Sequence, residues 1–264
     1  MRVGRLVLSF FLILSSSPRL NSQQSTTAPP RDAQAVALLN RAVAALGGTG
    51  VYSATNGVIA RGTLTASTGG ISGPIVWENA GTEFRYERPG PNSPIVFASH
   101  HGNPGIADSG KVRRNIGHLA MVDFPAHLPG VVLAAHLNNS RIQVTAAQQV
   151  TLDTAPAIKI SLNDQTDELS SIICKQDWYL DPATLLPTRV DYLASEANNA
   201  LNTAKMTVLL SDYRPVSGQL IPFHIVTLLE GQQILDVVLT SVQLNASIPR
   251  SDFEVSATVA GGVL

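Results

Sequence analysis

Between Ile172 and Val255 the chain repeats one pattern: a run of β-type residues, then Pro, Gly, Asp or Asn, then another run. IICKQDWYL gives way to DPATLLP, TRVDYLA to SEANNALN, and AKMTVLLSDY to RPVSGQLIP; FHIVTLLEGQQILDVVLTSVQL closes the series. Strands spaced this closely leave no room for crossover helices, so neighbours must pair antiparallel, as a meander. A meander of amphipathic strands has an apolar face that something must cover. What covers it decides what the chain does.

Upstream, the pattern is mixed. Asp32 stands before Ala35, Leu38, Leu39, Ala42, Val43 and Leu46, which recur at helical spacing, and Gly47-Gly48 ends the run. The stripe is narrow and alanine-rich, suited to lying close on a sheet. GVIARGTLTA, GPIVWEN, TEFRYERP and SPIVFASH read as strands between Gly57 and His100. Residues 113–137 break the β pattern: Leu119 to Phe124 and Leu128 to Leu137 read as helices, with Pro125 and Pro129 each fitting a helix start. RIQVTAAQQVTL and APAIKISLND then resume strands, and Cys174 falls inside the next one. With no Gly/Ser linker, charge block or fixed-period repeat, a single domain over residues 32–264 is expected.

The first 22 residues read as a signal peptide. Arg2 and Arg5 form a positive n-region, and Leu6 to Leu14 is an apolar stretch of nine residues. As helix it would rise about 13 Å, too short for a bilayer core of about 30 Å. Residues 23–31 (QQSTTAPPR) read as a flexible linker. Loss of residues 1–22 removes three arginines and no acids, leaving 15 Lys and Arg against 19 Asp and Glu, a net charge of −4. No Lys/Arg run is present, which argues against nucleic acid as a partner. The expected location is periplasmic or secreted, and a monomer is expected. Cys174 is the lone cysteine, so no intrachain disulfide can form and burial must supply the stability. Charged residues make up 14% against 44% hydrophobic, so there is apolar surface to place against a core or a ligand.

Motifs for chemistry are sparse. His118, Asp123, His127 and His136 lie within nineteen residues, close after His100 and His101. Asp123 and His127 have the i, i+4 spacing of a helical metal pair, but His118 and His136 each stand nine residues from His127, half a turn out of phase. Surface or packed histidines are the expectation, and neither a metal nor a cofactor is assigned; a metal-dependent hydrolase ranks third among the functions. No nucleophile elbow, phosphate loop or dinucleotide fingerprint is present, and no catalytic residue is assigned.

The apolar strand faces are more informative. Trp178 and Leu180 share a face, as do Thr188, Val190 and Tyr192, then Met206, Val208 and Leu210, then Phe223, Ile225, Thr227 and Leu229. On one concave surface they would form an apolar trough, with Trp178, Leu180, Val190, Tyr192, Val208, Phe223 and Ile225 as its ligand-binding residues. The same residues would equally make a filled core beneath the N-terminal helix.

Several features together resemble the LolA/LppX-like superfamily of exported lipoprotein and lipid carriers. They are the N-terminal helix ending in ALGG, and a turn built from Trp178, Leu180, Asp181, Pro182, Thr184, Leu186 and Pro187. To these add Asp212-Tyr213-Arg214-Pro215-Val216 with Gly218, then Ile221-Pro222, and last Val242, Leu244, Asn245 and Phe253. The resemblance spans residues 33–48 and about 170–254. It implies an α+β fold: a curved antiparallel sheet forming an unclosed half-barrel, with an N-terminal helix and a central helical lid over residues 115–137. Arg61 and Arg85 are candidates for latching that lid. It implies a non-enzymatic binder or carrier of a lipid, a lipoprotein acyl chain or another long apolar ligand. Its partners would be a lipid or lipidated protein and components of the envelope membranes. The alternative is a structural or interaction module of the cell envelope with a filled core.

Overall fold

The computed structural model describes residues 28–48, 57–67, 69–80, 83–90, 92–100, 103–108, 111–114, 128–166, 171, 174–196 and 199–254. Among these residues two helices and fourteen strands follow in chain order: α1 (Ala33–Ala45), β1 (Val58–Ala66), β2 (Ser72–Ala80), β3 (Glu83–Arg88), β4 (Ile95–His100), β5 (Asn103–Asp108), β6 (Lys111–Arg114), α2 (Pro129–Asn138), β7 (Ile142–Val144), β8 (Gln148–Leu152), β9 (Ala155–Asp164), β10 (Gln176–Leu180), β11 (Pro187–Glu196), β12 (Asn199–Val216), β13 (Gln219–Leu229) and β14 (Gln232–Leu244). A 3-10 turn at Arg250–Phe253 comes last.

All fourteen strands belong to one antiparallel sheet in the order β6-β5-β4-β3-β2-β1-β14-β13-β12-β11-β10-β9-β7, with β8 on β9. Strand β1 pairs β14, so the two ends of the meander zip together mid-sheet. The terminal strands β6 and β7 do not pair, and the half-barrel stays open. Thus the α+β unclosed half-barrel is the observed architecture.

Local chemistry explains the tight meander. Ser217-Gly218 and Glu230-Gly231 join β12 to β13 and β13 to β14 as two-residue loops, and all four residues have positive φ (46°, 85°, 50° and 80°). That is the type I′ turn whose twist matches the flanking strands. Curvature comes from register shifts that leave Thr188, Ile234 and Thr240 as extra residues, since a bulge bends its strand and raises the local twist.

Both helices lie on one face. The Asp32 carboxylate accepts from Ala35 N at 2.8 Å and caps α1; Ala35, Leu39, Ala42, Val43 and Leu46 are buried. Three of α1's core positions being small or β-branched lets the helix sit close on the sheet. Its end docks on the β12–β13 hairpin, where Leu220 N donates to Leu46 O at 2.8 Å. Pro129 sits at the start of α2, as its fixed φ favours. This helix packs against α1 and β13.

Some elements differ from the sequence expectation. TRVDYLA and AKMTVLLSDY extend into SEANNALN from either side, β11 to Glu196 and β12 from Asn199, and β12 runs on to Val216. RIQVTAAQQVTL divides into β7 and β8. Cys174 precedes β10 rather than lying within it, and is half-buried. Within the expected linker, the Pro30 carbonyl accepts from Val144 N at 3.2 Å. The helix expected over Leu119 to Phe124, and residues 1–22, lie outside the described residues.

Candidate functional site

The helix-covered face of the sheet is read most simply along its cross-strand rows. Ile160, Trp178, Val190, Val208, Thr227 and Leu235 stand opposite one another on six successive strands. Leu210, Ile225, Val237 and Leu64 form a second row. The seven residues assigned to the trough therefore share one face and one continuous apolar cluster with α1 and α2. Their exposures are 0% for Trp178, Leu180, Val190, Val208 and Ile225, 4% for Tyr192 and 5% for Phe223. Two neighbours behave otherwise. Thr188 is the bulged residue of β11 and is exposed, and Leu229, at the end of β13, is 38% exposed.

Buried polar side chains interrupt this apolar face, Thr227 and Gln176 among them. Gln176, 7% exposed, accepts from the Trp178 indole N–H at 2.8 Å, which satisfies a buried donor. Above it, on α2, is His136. Burial pushes its pKa below the usual histidine value, against the hydrogen-bonding side chain of Gln176 and the charge of Asp164, while Arg31 adds to the depression.

Arg31 also answers how α2 is held. Its guanidinium donates to the carbonyls of Asn139 at 2.9 Å, Leu137 at 3.0 Å and His136 at 3.5 Å. These are orphan acceptors at a helix C-terminus, where a cation is favoured. Arg61 and Arg85, the residues considered for that task from the sequence, are placed elsewhere. Arg61 is exposed on β1. Arg85 pairs with Glu87 at 2.7 Å and donates to Asp252 O at 3.3 Å. The contact from Arg31 spans more than a hundred residues, and no spacing in the sequence marks it.

The motif residues of the resemblance prove to be turn and hairpin pieces. A single oxygen of Asp181, Oδ1, accepts from Ala183 N at 3.0 Å, Thr184 N at 2.7 Å and Thr184 Oγ1 at 2.9 Å. The Tyr213 hydroxyl donates to Pro187 O at 2.6 Å, tying β12 to the start of β11, and the Arg214 guanidinium lies 4.6 Å from the Phe223 ring centre.

Solved structures share this arrangement. A putative outer membrane lipoprotein-sorting protein domain from Vibrio parahaemolyticus superposes with a TM-score of 0.51 at 11% identity, covering 83% of this chain and 96% of that one. A LolA superfamily protein from Nitrosomonas europaea gives 0.51 at 10% identity, covering 83% and 97%. The fold is LolA-like. A DUF1329 family protein from Desulfovibrio piger matches as well, at 0.52 and 11% identity, covering 83% and 97%. No protein-family model and no curated protein sequence matches the chain.

On the outer face of the LolA-like sheet several polar residues are paired across strands. Asp191 takes both guanidinium arms of Arg189 at 2.7 and 3.0 Å and the Thr207 hydroxyl at 2.7 Å, with Lys205 Nζ at 3.4 Å. Burial pushes its carboxyl up, but these hydrogen bonds and charges outweigh burial and hold it below the usual carboxylate range. Lys159 bonds Asp177 at 2.8 Å, which raises the lysine pKa. Further along, Ser211 Oγ lies 3.2 Å from His224 Nδ1, and His224 Nε2 lies 3.1 Å from Asp236 Oδ1. This serine–histidine–aspartate line crosses β12, β13 and β14 on open sheet, with the histidine and aspartate side chains 39% and 33% exposed. Water screens charge in such a place, unlike the enclosed, preorganised setting that transition-state stabilisation needs. It reads as cross-strand pairing.

Of the histidines weighed for a metal, His136 is the buried α2 residue already described and His100 closes β4. His101, His118, Asp123 and His127 lie outside the described residues. Among the described residues, no group of three or more His, Cys, Asp or Glu is placed to hold a metal ion, and no helix is long and apolar enough to cross a membrane.

Proposed function

We propose that the chain is an exported, non-enzymatic carrier that binds a lipid, a lipoprotein acyl chain or another long apolar ligand. The ligand would lie against the apolar inner face of its sheet. One observation carries the reading: a fourteen-stranded antiparallel sheet is left unclosed and presents one continuous apolar face under two helices. The kinship in fold with a lipoprotein-sorting domain supports it. The energetics are sufficient, since each buried methylene contributes about 0.8 kcal/mol. About ten reach the scale of micromolar affinity before ordering costs. In this reading residues 1–22 are the signal peptide, 23–31 a linker and 32–264 one LolA-like domain. The mature monomer works in the periplasm or outside the cell, against lipid, lipidated protein or envelope membrane components.

A second reading, an envelope structural or interaction module, is favoured by the seven trough residues being packed at 0–5% exposure. Native mass spectrometry of the mature protein purified without detergent, followed by solvent extraction, separates the two. A stoichiometric lipid-sized adduct is the expected result. A ligand-free mass that persists after incubation with envelope lipid extract would overturn the carrier reading in favour of the packed module.

A further inference from the structure

The inner face has a second half, on β2, β3 and β4, with a different composition. Trp77, Tyr86 and Phe97 stand directly opposite one another on these three strands. The Trp77 and Tyr86 ring centres are 6.0 Å apart and those of Tyr86 and Phe97 5.8 Å apart, all tilted. Trp77 and Tyr86 are buried, whereas Phe97 is half-buried. Two residues beyond Tyr86, and so on the same face, comes Arg88. Its guanidinium carbon lies 5.5 Å from the Phe97 ring centre.

Arg88 differs from most strand cations among the described residues; Arg61 also lacks a carboxylate pair, but it stands exposed on β1. Arg85, Lys159, Arg189, Lys205 and Arg214 each pair with a carboxylate. Among the described residues none pairs with Arg88, although the side chain is half-buried on a face that is otherwise aromatic. Neighbouring Glu87 is engaged by Arg85 on the opposite face. The Phe97 ring offers the cation an electrostatic partner but no hydrogen-bond acceptor, and among the described residues no carboxylate takes up the N–H groups that grip oxyanions. The chain beside it is hollowed. A cleft of about 250 Å³ is walled by Glu87, Arg88, Pro89, Gly90, Asn92 and Ser93 among others, the Glu87 carboxylate being already held by Arg85, and a second of about 400 Å³ by Gly70, Ile71, Ser72 and the same Pro89 and Gly90.

We infer that this end of the sheet is a headgroup subsite. The Arg88 fork binds the carboxylate or phosphate of an amphiphile whose alkyl chain packs on Phe97, the half-buried end of the row of rings. The inference rests on the carrier reading and sharpens it: the ligand is an anionic single-headed amphiphile rather than a neutral lipid. An oxyanion satisfies the guanidinium edge with charge-assisted, bidentate bonds, and an alkyl chain is what an apolar ring accepts.

Calorimetric titration of the delipidated mature protein with dodecanoate, dodecyl phosphate and uncharged dodecanol, all below micellar concentration, tests it. We expect at least one anion to bind about 10- to 100-fold more tightly than the alcohol, the range of a hydrogen bond to a charged group. Which anion wins identifies the head. In Arg88→Gln that preference is lost while alcohol binding is kept, and Arg88→Lys keeps part of it; circular dichroism melts confirm that both variants fold. Alcohol binding equal to that of both anions in the wild type, or a preference that survives Arg88→Gln, overturns the subsite alone. Binding of none of the three removes the carrier reading and the subsite with it.

Discussion

Adding a single methyl group at Gly47 should loosen the junction on which the roof of the sheet depends. Gly47 follows α1 with φ +130°, a region essentially closed to other residues. A Cβ there would lie 2.5 Å from the Gly218 carbonyl oxygen and 3.0 Å from Gln219 Cα. Both are backbone atoms of the β12–β13 turn, so no side chain can swing aside. Relief requires shifting the helix end off the hairpin, which stretches the Leu220 N to Leu46 O bond of 2.8 Å. Backbone strain costs about 1–3 kcal/mol and the lost hydrogen bond about 1 kcal/mol, so Gly47→Ala should destabilise by about 3 kcal/mol. Gly48 provides the control. Its φ is also positive, +88°, but an added Cβ meets nothing within 4 Å, leaving strain of about 1 kcal/mol. Urea unfolding of both variants, followed by circular dichroism, measures the difference. In a domain of this size 1 kcal/mol is about 2–4 °C in Tm, so Gly47→Ala should melt about 4–8 °C below Gly48→Ala. Equal midpoints would refute the docking argument.

Other outcomes follow from single contacts. Arg31→Ala removes three donors from the carbonyls at the end of α2 and should cost about 1–2 kcal/mol. Hydrogen exchange should accelerate in α2 more than in β10–β13, and uniform acceleration would contradict this. Trp178→Asp places an unpaired charge at a site with no exposure, so it should prevent folding; a cooperative melt near the wild-type Tm would show that the site opens to water. The Asp181 carboxyl is held low by the Thr184 backbone N–H first, then by the Thr184 hydroxyl. Its stabilisation is complete above the unfolded value of about 3.9 and is lost as pH falls through the lower folded value. Asp181→Asn should therefore flatten the stability slope below about pH 4. His136, whose folded pKa is depressed by burial, acts in a higher window. The unfolded chain takes up its proton first, so stability should decline as pH drops below about 6.5. His136→Gln should remove that decline.

How much of this was legible depended on how local the determinant is. The period of two placed Trp178, Val190, Val208 and Ile225 on one face, because ladder register leaves side chains no other choice. The same period misplaced Thr188, since a bulge in β11 inserts a residue and flips the phase. Asn103–Asp108 contains Pro104 and Gly105, which weaken a strand signal, yet it pairs with both β4 and β6. The turn at SEANNALN looked long because Ala and Asn have low strand propensity; pairing between β11 and β12 overrides it. Arg31 was hidden in a polar segment, and its partners lie 105 to 108 residues away. Arg88 was equally hidden, because a charged residue in TEFRYERP reads as solvent-facing until the register puts it over Phe97.

The two halves of the inner face then suit different tasks. Around Trp178 the sheet is roofed by Leu39, Val43, Val132 and Leu133, all in one buried cluster, and a ligand could enter only by displacing side chains packed at interior density. That half stabilises the fold, as its burial of large apolar groups requires. Around Phe97 the face holds a half-buried ring, a guanidinium without a carboxylate among the described residues, and neighbouring clefts. Space and an unmet electrostatic demand coincide there. The mass-spectrometric adduct would thus disappear more readily on substitution at Arg88 than on conservative repacking beneath α1, for example Val190→Ala, which should lower stability by about 1–3 kcal/mol and leave cargo in place.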